Sequence, residues 1–169
     1  MRDSDLVALL EKGVERGAYR WADLGAGEGN FTRALATLLG PGAHITAVDK
    51  DASALRAIGG EAETRVADFT KPLDLHDLDG VVMANSLHFV RNKPPVLASV
   101  RAMLEPGGRL IVVEYETDRG NPWVPHPLSF ETWKRLAADA GFVGTERIGS
   151  VPSRYFGSMY SALTRRPER

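Results

Sequence analysis

The strongest constraint on this chain is an alternation of pattern. Between residues 19 and 115, apolar segments of five to seven residues alternate with segments of helical spacing, and glycine, proline or an acid marks nearly every change. Short apolar runs bounded by turn signals suit strands buried on both faces, and a helix between strands returns the chain by a right-handed crossover. The pattern predicts an α/β three-layer sandwich, a mostly parallel sheet with helices on both faces. Strands are expected at 19–24, 43–48, 63–67, 80–84 and 109–115, with helices at 30–39, 52–58 and 94–104. Ahead of them, Leu6, Leu9, Leu10 and Val14 recur at helical spacing and predict an N-terminal helix over 3–16. Beyond residue 115 the pattern changes. An amphipathic helix at 129–140 stops at Gly141, and two strands, 142–148 and 155–163, are joined by a loop at 149–154. A terminal strand pair of that kind adds an antiparallel strand to a parallel sheet.

Composition narrows the class. A chain of 169 residues is one domain's worth, so 1–169 reads as a single unit. A net charge of −1 offers no basic field for nucleic acid. No run approaches the roughly 20 apolar residues of a membrane-spanning helix. There is no cysteine, which removes disulfides, thiolate metal sites and cysteine nucleophiles together. The first residues carry acids and lack the long apolar run of a secretory leader. The expectation is a cytoplasmic protein, monomer or homodimer, with neither nucleic acid nor membrane as its partner.

Ligands of open parallel sheets bind beyond the carboxyl ends of the strands. Four such ends carry chemistry here. Residues 23–29 read D-L-G-A-G-E-G, where glycines permit a sharp turn and a close approach of ligand to main chain. Asp49, followed by Lys50, ends the second strand and can accept from two ribose hydroxyls. Asp68 and Phe69 pair an acceptor for an exocyclic amine with an aromatic that can flank a base. Residues 84–88 read A-N-S-L-H. A dinucleotide-binding turn would place a third glycine at position 30, which is Asn30, and Asp23 sets an anion just before the turn. That position suits an ammonium group better than a phosphate.

The set resembles the class I (Rossmann-like) S-adenosylmethionine-dependent methyltransferases over nearly the whole chain. Residues 23–29 match the family's D-x-G-x-G-x-G motif, and Asp49 and Asp68 follow in order. Residues 104–112 read L-x-P-G-G-x-L-x-V, and 136–142, L-A-A-D-A-G-F, resemble the helix before the family's terminal hairpin. The resemblance implies a seven-stranded sheet of order 3-2-1-4-5-7-6 with the last strand antiparallel. It implies S-adenosylmethionine as methyl donor, released as S-adenosylhomocysteine. In the donor site, Asp23 would take the ammonium group, Gly25, Ala26 and Gly27 would follow the methionine, and Asp49 with Lys50 would lie at the ribose. Asp68 would take the adenine amine with the Phe69 amide near the ring, and Asn85 would sit beside the methionine end.

The acceptor side is less determined. A methyltransferase must hold a nucleophile in line and, where needed, remove its proton. His88, just past the fourth strand, is the first candidate base because imidazole titrates near neutrality; the alternative is a packing histidine. Glu114 and Tyr115 end the fifth strand and are the other candidates, and alternation turns only one of them toward the cleft. His44, His76 and His126 are weaker. The acid cluster of metal-dependent relatives and the N-P-P-Y motif of base and glutamine methylation are both absent, so no metal is expected. Segments 116–128 and 149–156 are expected to border the cleft, and Arg91, Lys93, Arg119 and Arg154 either charge its mouth or form a solvated rim. The expected acceptor is a small molecule. Two rival readings are a nicotinamide-dependent oxidoreductase, against which the missing third glycine argues, and a non-catalytic donor-binding module.

Overall fold

The computed structural model describes residues 1–17 and 19–169. Helix α1 (Asp3–Leu10) leads through a single 3₁₀ turn (Glu11–Gly13) into β1 (Arg20–Leu24). Then follow α2 (Asn30–Leu39), β2 (His44–Asp49), α3 (Ala52–Leu55), β3 (Glu63–Val66) and β4 (Leu78–Ala84). A 3₁₀ turn (Leu87–Phe89), α4 (Pro94–Met103), β5 (Leu104–Tyr115), α5 (Phe130–Asp139), β6 (Val143–Ser153) and β7 (Gly157–Arg165) complete the chain. The seven strands form one sheet of order β3-β2-β1-β4-β5-β7-β6. Pairs from β3 to β5 are parallel, and β7 runs antiparallel to both β5 and β6. The expected order and the antiparallel last strand are those found.

Strand alternation builds the three layers. In β5, Leu110 and Val112 face a core shared with Val96, Leu97 and Val100 of α4 and with Trp133 of α5. Ile111 and Val113 face the other side, against Leu6, Leu9 and Leu10 of α1 and Leu35 of α2. Both faces of the sheet are therefore dry, which is why these strands read as continuous apolar runs. Helix ends follow local chemistry: the Asp51 carboxylate accepts from Ser53 and Ala54 amides at the start of α3, and Ser129 accepts from the Thr132 amide at the start of α5.

Four boundaries depart from expectation by three residues or more. The N-terminal α-helix stops at Leu10 rather than Arg16, because the chain tightens to lay Gly13 against Ile111 and Ile148 of the sheet and Val14 is extended. Helix α3 ends at Leu55, beyond which Ala57 and Ile58 donate three residues back as turns. Strand β5 begins at Leu104, five residues before the expected Arg109, with a register shift where Pro106–Gly108 was read as a plain turn. Strand β6 runs to Ser153, so most of the expected cleft loop 149–156 is strand, paired from Gly149↔Ser161 to Ser153↔Gly157. Only residues 154–156 remain as the connecting turn. Pro152 is tolerated there because β6 is the sheet edge and needs no amide on its outer side.

Candidate functional site

The carboxyl ends of β1, β2, β4 and β5 converge, and the turn after β1 sets their spacing. The Gly25 and Ala26 amides donate to Val48 O at 2.8 and 2.9 Å, and the Gly27 amide donates to Asp49 Oδ2 at 2.8 Å. Gly25 and Gly27 both lie in the left-handed region, at φ 82° and 55°. A side chain at Gly25 would strike Ser86 Cβ, 2.4 Å away, so that glycine serves the close packing of the β1 and β4 ends. A side chain at Gly27 would meet nothing within 4 Å. Glycine at that point keeps a space open instead of filling one.

Asp23 sits beneath this turn at 1% exposure, its Oδ2 accepting from Thr32 Oγ1 at 2.7 Å. Burial raises its carboxyl to about 6; the Thr32 hydrogen bond opposes the rise and the Asp49 charge adds to it. Asp23, Gly27, Asn30 and Asn85 line a cavity of about 310 Å³. A buried anion with one hydroxyl partner at the wall of a cavity is a receptor for a cation, and the ammonium of an amino acid fits it. A pyrophosphate there would meet like charge, which counts against a dinucleotide.

Around Gly25 lies a second cavity of about 540 Å³, lined by Asp49, Lys50, Asp68, Phe69 and Asn85 among others. Asp49 accepts from Gly27 N and, at 2.9 Å, from Asp51 N, so it braces the turn while keeping unused lone pairs. Asp68 Oδ1 accepts from the Thr70 amide and hydroxyl at 2.9 and 2.7 Å. These bonds, with smaller help from Lys50 and Lys71, hold its carboxyl below the usual range. It stays an acceptor at neutral pH, with Oδ2 uncommitted among the described residues. The two cavities share Gly25 and Asn85, so the Asp23 carboxylate, the open Gly27, Asp49 and Asp68 line two adjoining spaces. S-adenosylmethionine fits that order of groups.

Asn85 is the pivot. It is one of two described non-glycine residues with positive φ, at 54°. Its Nδ2 donates to Met159 Sδ at 3.8 Å, and its buried Oδ1 has no hydrogen-bond partner. A left-handed backbone together with an orphaned buried acceptor makes Asn85 a candidate for ligand contact. Asn85 also lines a third cavity, about 590 Å³, on the other side from the groove.

His88 and Tyr115 line that third cavity. His88, on the 3₁₀ turn after β4, is 3% exposed. Glu114, fully buried, accepts from the His88 amide at 3.0 Å through Oε1 and lies 2.8 Å from His88 Nδ1 through Oε2. The carboxylate thereby fixes the Nδ1–H tautomer and leaves Nε2 with its lone pair and no partner among the described residues. Glu114 and Tyr115, expected as alternatives, take different parts: Glu114 turns inward behind His88, and Tyr115 faces the cavity. The Tyr115 phenol is raised by burial, by the Glu114 charge and by Tyr155, so it remains an O–H donor. The His126 amide donates to His88 O at 2.9 Å, and Lys93 Nζ donates to His126 O at 2.8 Å and Val90 O at 2.9 Å. Lys93 is thus a buried strut tying segment 116–128 to the His88 turn, and Arg91, Arg119 and Arg154 lie outside the cavity lining.

Sequence reading missed Thr32, gave Ser86 no role, and read Lys93 as a charge at the mouth or rim. Thr32 had a signal, a polar residue in register with Leu35 and Leu39 on the buried face of α2. Ser86, whose hydroxyl donates to Leu24 O at 2.8 Å, had only its place after Asn85. Among the described residues, no cluster of three metal-ligating side chains occurs, and no helix is long and apolar enough to cross a membrane.

A mostly parallel sheet ending β5-β7-β6, with a glycine turn after β1 and acids at the strand ends, defines the Rossmann-like methyltransferase fold. The chain belongs to the class I S-adenosylmethionine-dependent methyltransferases, since the family described as methyltransferase domain matches residues 22–110. A curated relative, the ubiquinone/menaquinone biosynthesis C-methyltransferase UbiE of Pseudomonas savastanoi pv. phaseolicola, is 34% identical over 118 residues, 64% of this chain and 46% of that protein. The chain therefore spans about half the length of the curated relatives it matches. In fold it is similar to the YcgJ protein of Bacillus subtilis (TM-score 0.81, 11% identity, covering 99% of this chain and 100% of the other). It is also similar to a SAM-dependent methyltransferase of Methanosarcina mazei (TM-score 0.73, 17% identity, covering 95% and 97%).

Proposed function

We propose that this chain methylates a small-molecule acceptor at an oxygen or carbon, using S-adenosylmethionine. The observation that carries this reading is Asn85, strained and with an orphaned oxygen, between the donor-type groove and a cavity walled by His88. Asp23 would hold the donor's ammonium, Asp49 the ribose and Asp68 the adenine amine, with Gly27 leaving room for the chain between. Bound there, S-adenosylmethionine supplies a methyl group made electrophilic by its sulfonium and leaves as S-adenosylhomocysteine. His88 Nε2 takes the acceptor's proton, and Glu114 positions the ring and stabilises it when charged. Tyr115 donates to the acceptor. The C-methyltransferase name of the Pseudomonas relative supports a carbon acceptor. The near-zero net charge supports a small molecule over nucleic acid, and we place the chain in the cytoplasm as a monomer or homodimer.

Calorimetric titration with S-adenosylhomocysteine tests the donor reading. Micromolar binding, undisturbed by excess NADH, is expected. Failure to bind, or competition by NADH at micromolar levels, would return the chain to the oxidoreductase reading.

A further inference from the structure

The third cavity carries information about the acceptor itself. Its wall is aromatic: Phe89, Tyr115, Trp123, Tyr155 and Phe156 surround His88. The rings form one surface, with Tyr115 and Phe156 centroids 5.0 Å apart, Tyr115 and Tyr155 edge-on at 6.5 Å, and His88 and Phe89 at 4.4 Å. At about 590 Å³ the cavity has the size that encloses a ligand of several rings.

The polar groups on this wall are neutral. Asn121 has its oxygen committed to the Trp123 and Val124 amides at 2.9 and 2.8 Å, so it offers only its amide hydrogens. The phenols and the Asn85 amide are uncharged, and no lysine or arginine contributes to the lining. Behind the wall the Glu114 carboxylate is fully buried at His88, and the Lys93 ammonium is spent on the Val90 and His126 carbonyls. A carboxylate or phosphate entering the cavity would lose water, find no lysine or arginine in the lining to pair with and approach Glu114. A cationic acceptor would find the aromatic faces, but it would lie beside the sulfonium that the adjoining groove is built to hold.

The rim adds a second observation. Seven large hydrophobic residues are exposed among the described residues, and three of them, Trp123 at 79%, Tyr155 at 77% and Phe89 at 62%, stand around this one opening. Bare aromatic surface concentrated at the mouth of a reactive cavity marks the footprint of a ligand that extends beyond it.

We propose that the methyl acceptor is an uncharged, ring-bearing, largely apolar molecule with a weakly acidic O–H or C–H, gripped at the rim by Phe89, Trp123 and Tyr155. This rests on the donor reading above and specifies the other half of the same site. An acceptor of that kind arrives neutral, gives its proton to His88 Nε2, and becomes anionic only inside the cavity.

Three matched probes test it: 2-naphthol, 2-naphthoate and 2-naphthylmethylamine, titrated at pH 7 in saturating S-adenosylhomocysteine. Trp21 and Trp133 are buried, so fluorescence quenching reports chiefly on Trp123, and the Trp123→Phe variant identifies its share. The expected result is 2-naphthol binding at least tenfold tighter than either charged probe. Tyr155→Ala or Trp123→Ala should weaken naphthol about 3–10-fold and leave S-adenosylhomocysteine affinity unchanged. Equal or tighter binding of the carboxylate or the amine would overturn the proposal, as would the absence of any response to naphthol. A homodimer abolished by Trp123→Ala, with no naphthol response, would assign the rim to a second copy of the chain and overturn it too. If S-adenosylhomocysteine itself fails to bind, the donor reading falls and this inference with it; if it binds and the probes are not discriminated, only this inference falls.

Discussion

Replacing Asp23 by asparagine should move stability and ligand affinity in opposite directions. The Asp23 carboxyl is raised from 3.8 to about 6, chiefly because burial disfavours its charge. A raised acid binds its proton more tightly folded than unfolded, so its ionisation opposes folding. The penalty is absent below 3.8, grows as pH rises toward 6, and is complete at pH 7. A displacement of that size is worth about 3 kcal/mol. Asparagine keeps the shape and can still accept from Thr32, so the ligand-free variant should gain up to about 3 kcal/mol at pH 7. For a domain of this length that is a rise in melting temperature of up to roughly 6–12 °C. The gain should shrink as pH is lowered from 6.5 to 4. The same change removes the charge that would face the donor's ammonium, and S-adenosylhomocysteine should bind roughly 10–100-fold more weakly, the usual scale for a charged hydrogen bond. Calorimetric melting across pH and isothermal titration give both numbers. A variant that melts lower than wild type at pH 7 and binds S-adenosylhomocysteine equally well would refute the reasoning, because Asp23 would then serve the fold through Thr32.

The other predictions concern the turn and the base. Gly27→Val should abolish donor binding while circular dichroism stays native, since the added atoms enter open space rather than protein; the left-handed φ of 55° should cost stability on the order of 1 kcal/mol, and global unfolding would mean the glycine serves the fold. Asp49→Ala should weaken S-adenosylhomocysteine by about 2–3 kcal/mol, through the lost ligand acceptor and the loosened Gly27 amide; an unchanged dissociation constant would remove Asp49 from the site. His88→Gln should leave donor affinity nearly unchanged and lower turnover roughly 10²–10⁴-fold. Glu114→Gln should lower kcat with the acceptor's KM and the donor affinity little changed, whereas a purely structural Glu114 would lower the melting temperature and leave kcat in place.

Much of the fold was legible because the sheet is buried on both faces. Dry strands must be apolar throughout, so β1, β2, β4 and the core of β5 appear as apolar runs, and each turn between them needs a glycine, proline or cap that can be read directly. Strand β6 was read short for the opposite reason. It is an edge strand with largely exposed residues, and its extension to Ser153 is fixed by pairing with β7, which no local pattern encodes. The N-terminal helix was read long because apolar spacing continues to Val14, while packing of Gly13 on the sheet ends the α-helix earlier.

The sequence by itself determined where the candidate donor groove lies. Asp23, Gly25, Gly27, Asp49 and Asp68 stand at strand ends, and in a parallel sheet strand ends are brought together by the topology alone, so order along the chain is enough to predict a groove. The acceptor side was decided only by tertiary structure. Residues 26 positions apart, His88 and Glu114, become a hydrogen-bonded pair because β5 lies beside β4. Asn85 is forced into the left-handed region where β4 ends. Lys93, expected at a charged mouth, is buried as a strut under segment 116–128, and the aromatic wall draws its rings from three separate stretches of chain. Short-range pattern carries backbone geometry, whereas the pairing of side chains across strands depends on which strands become neighbours, and that is settled by how the whole sheet packs.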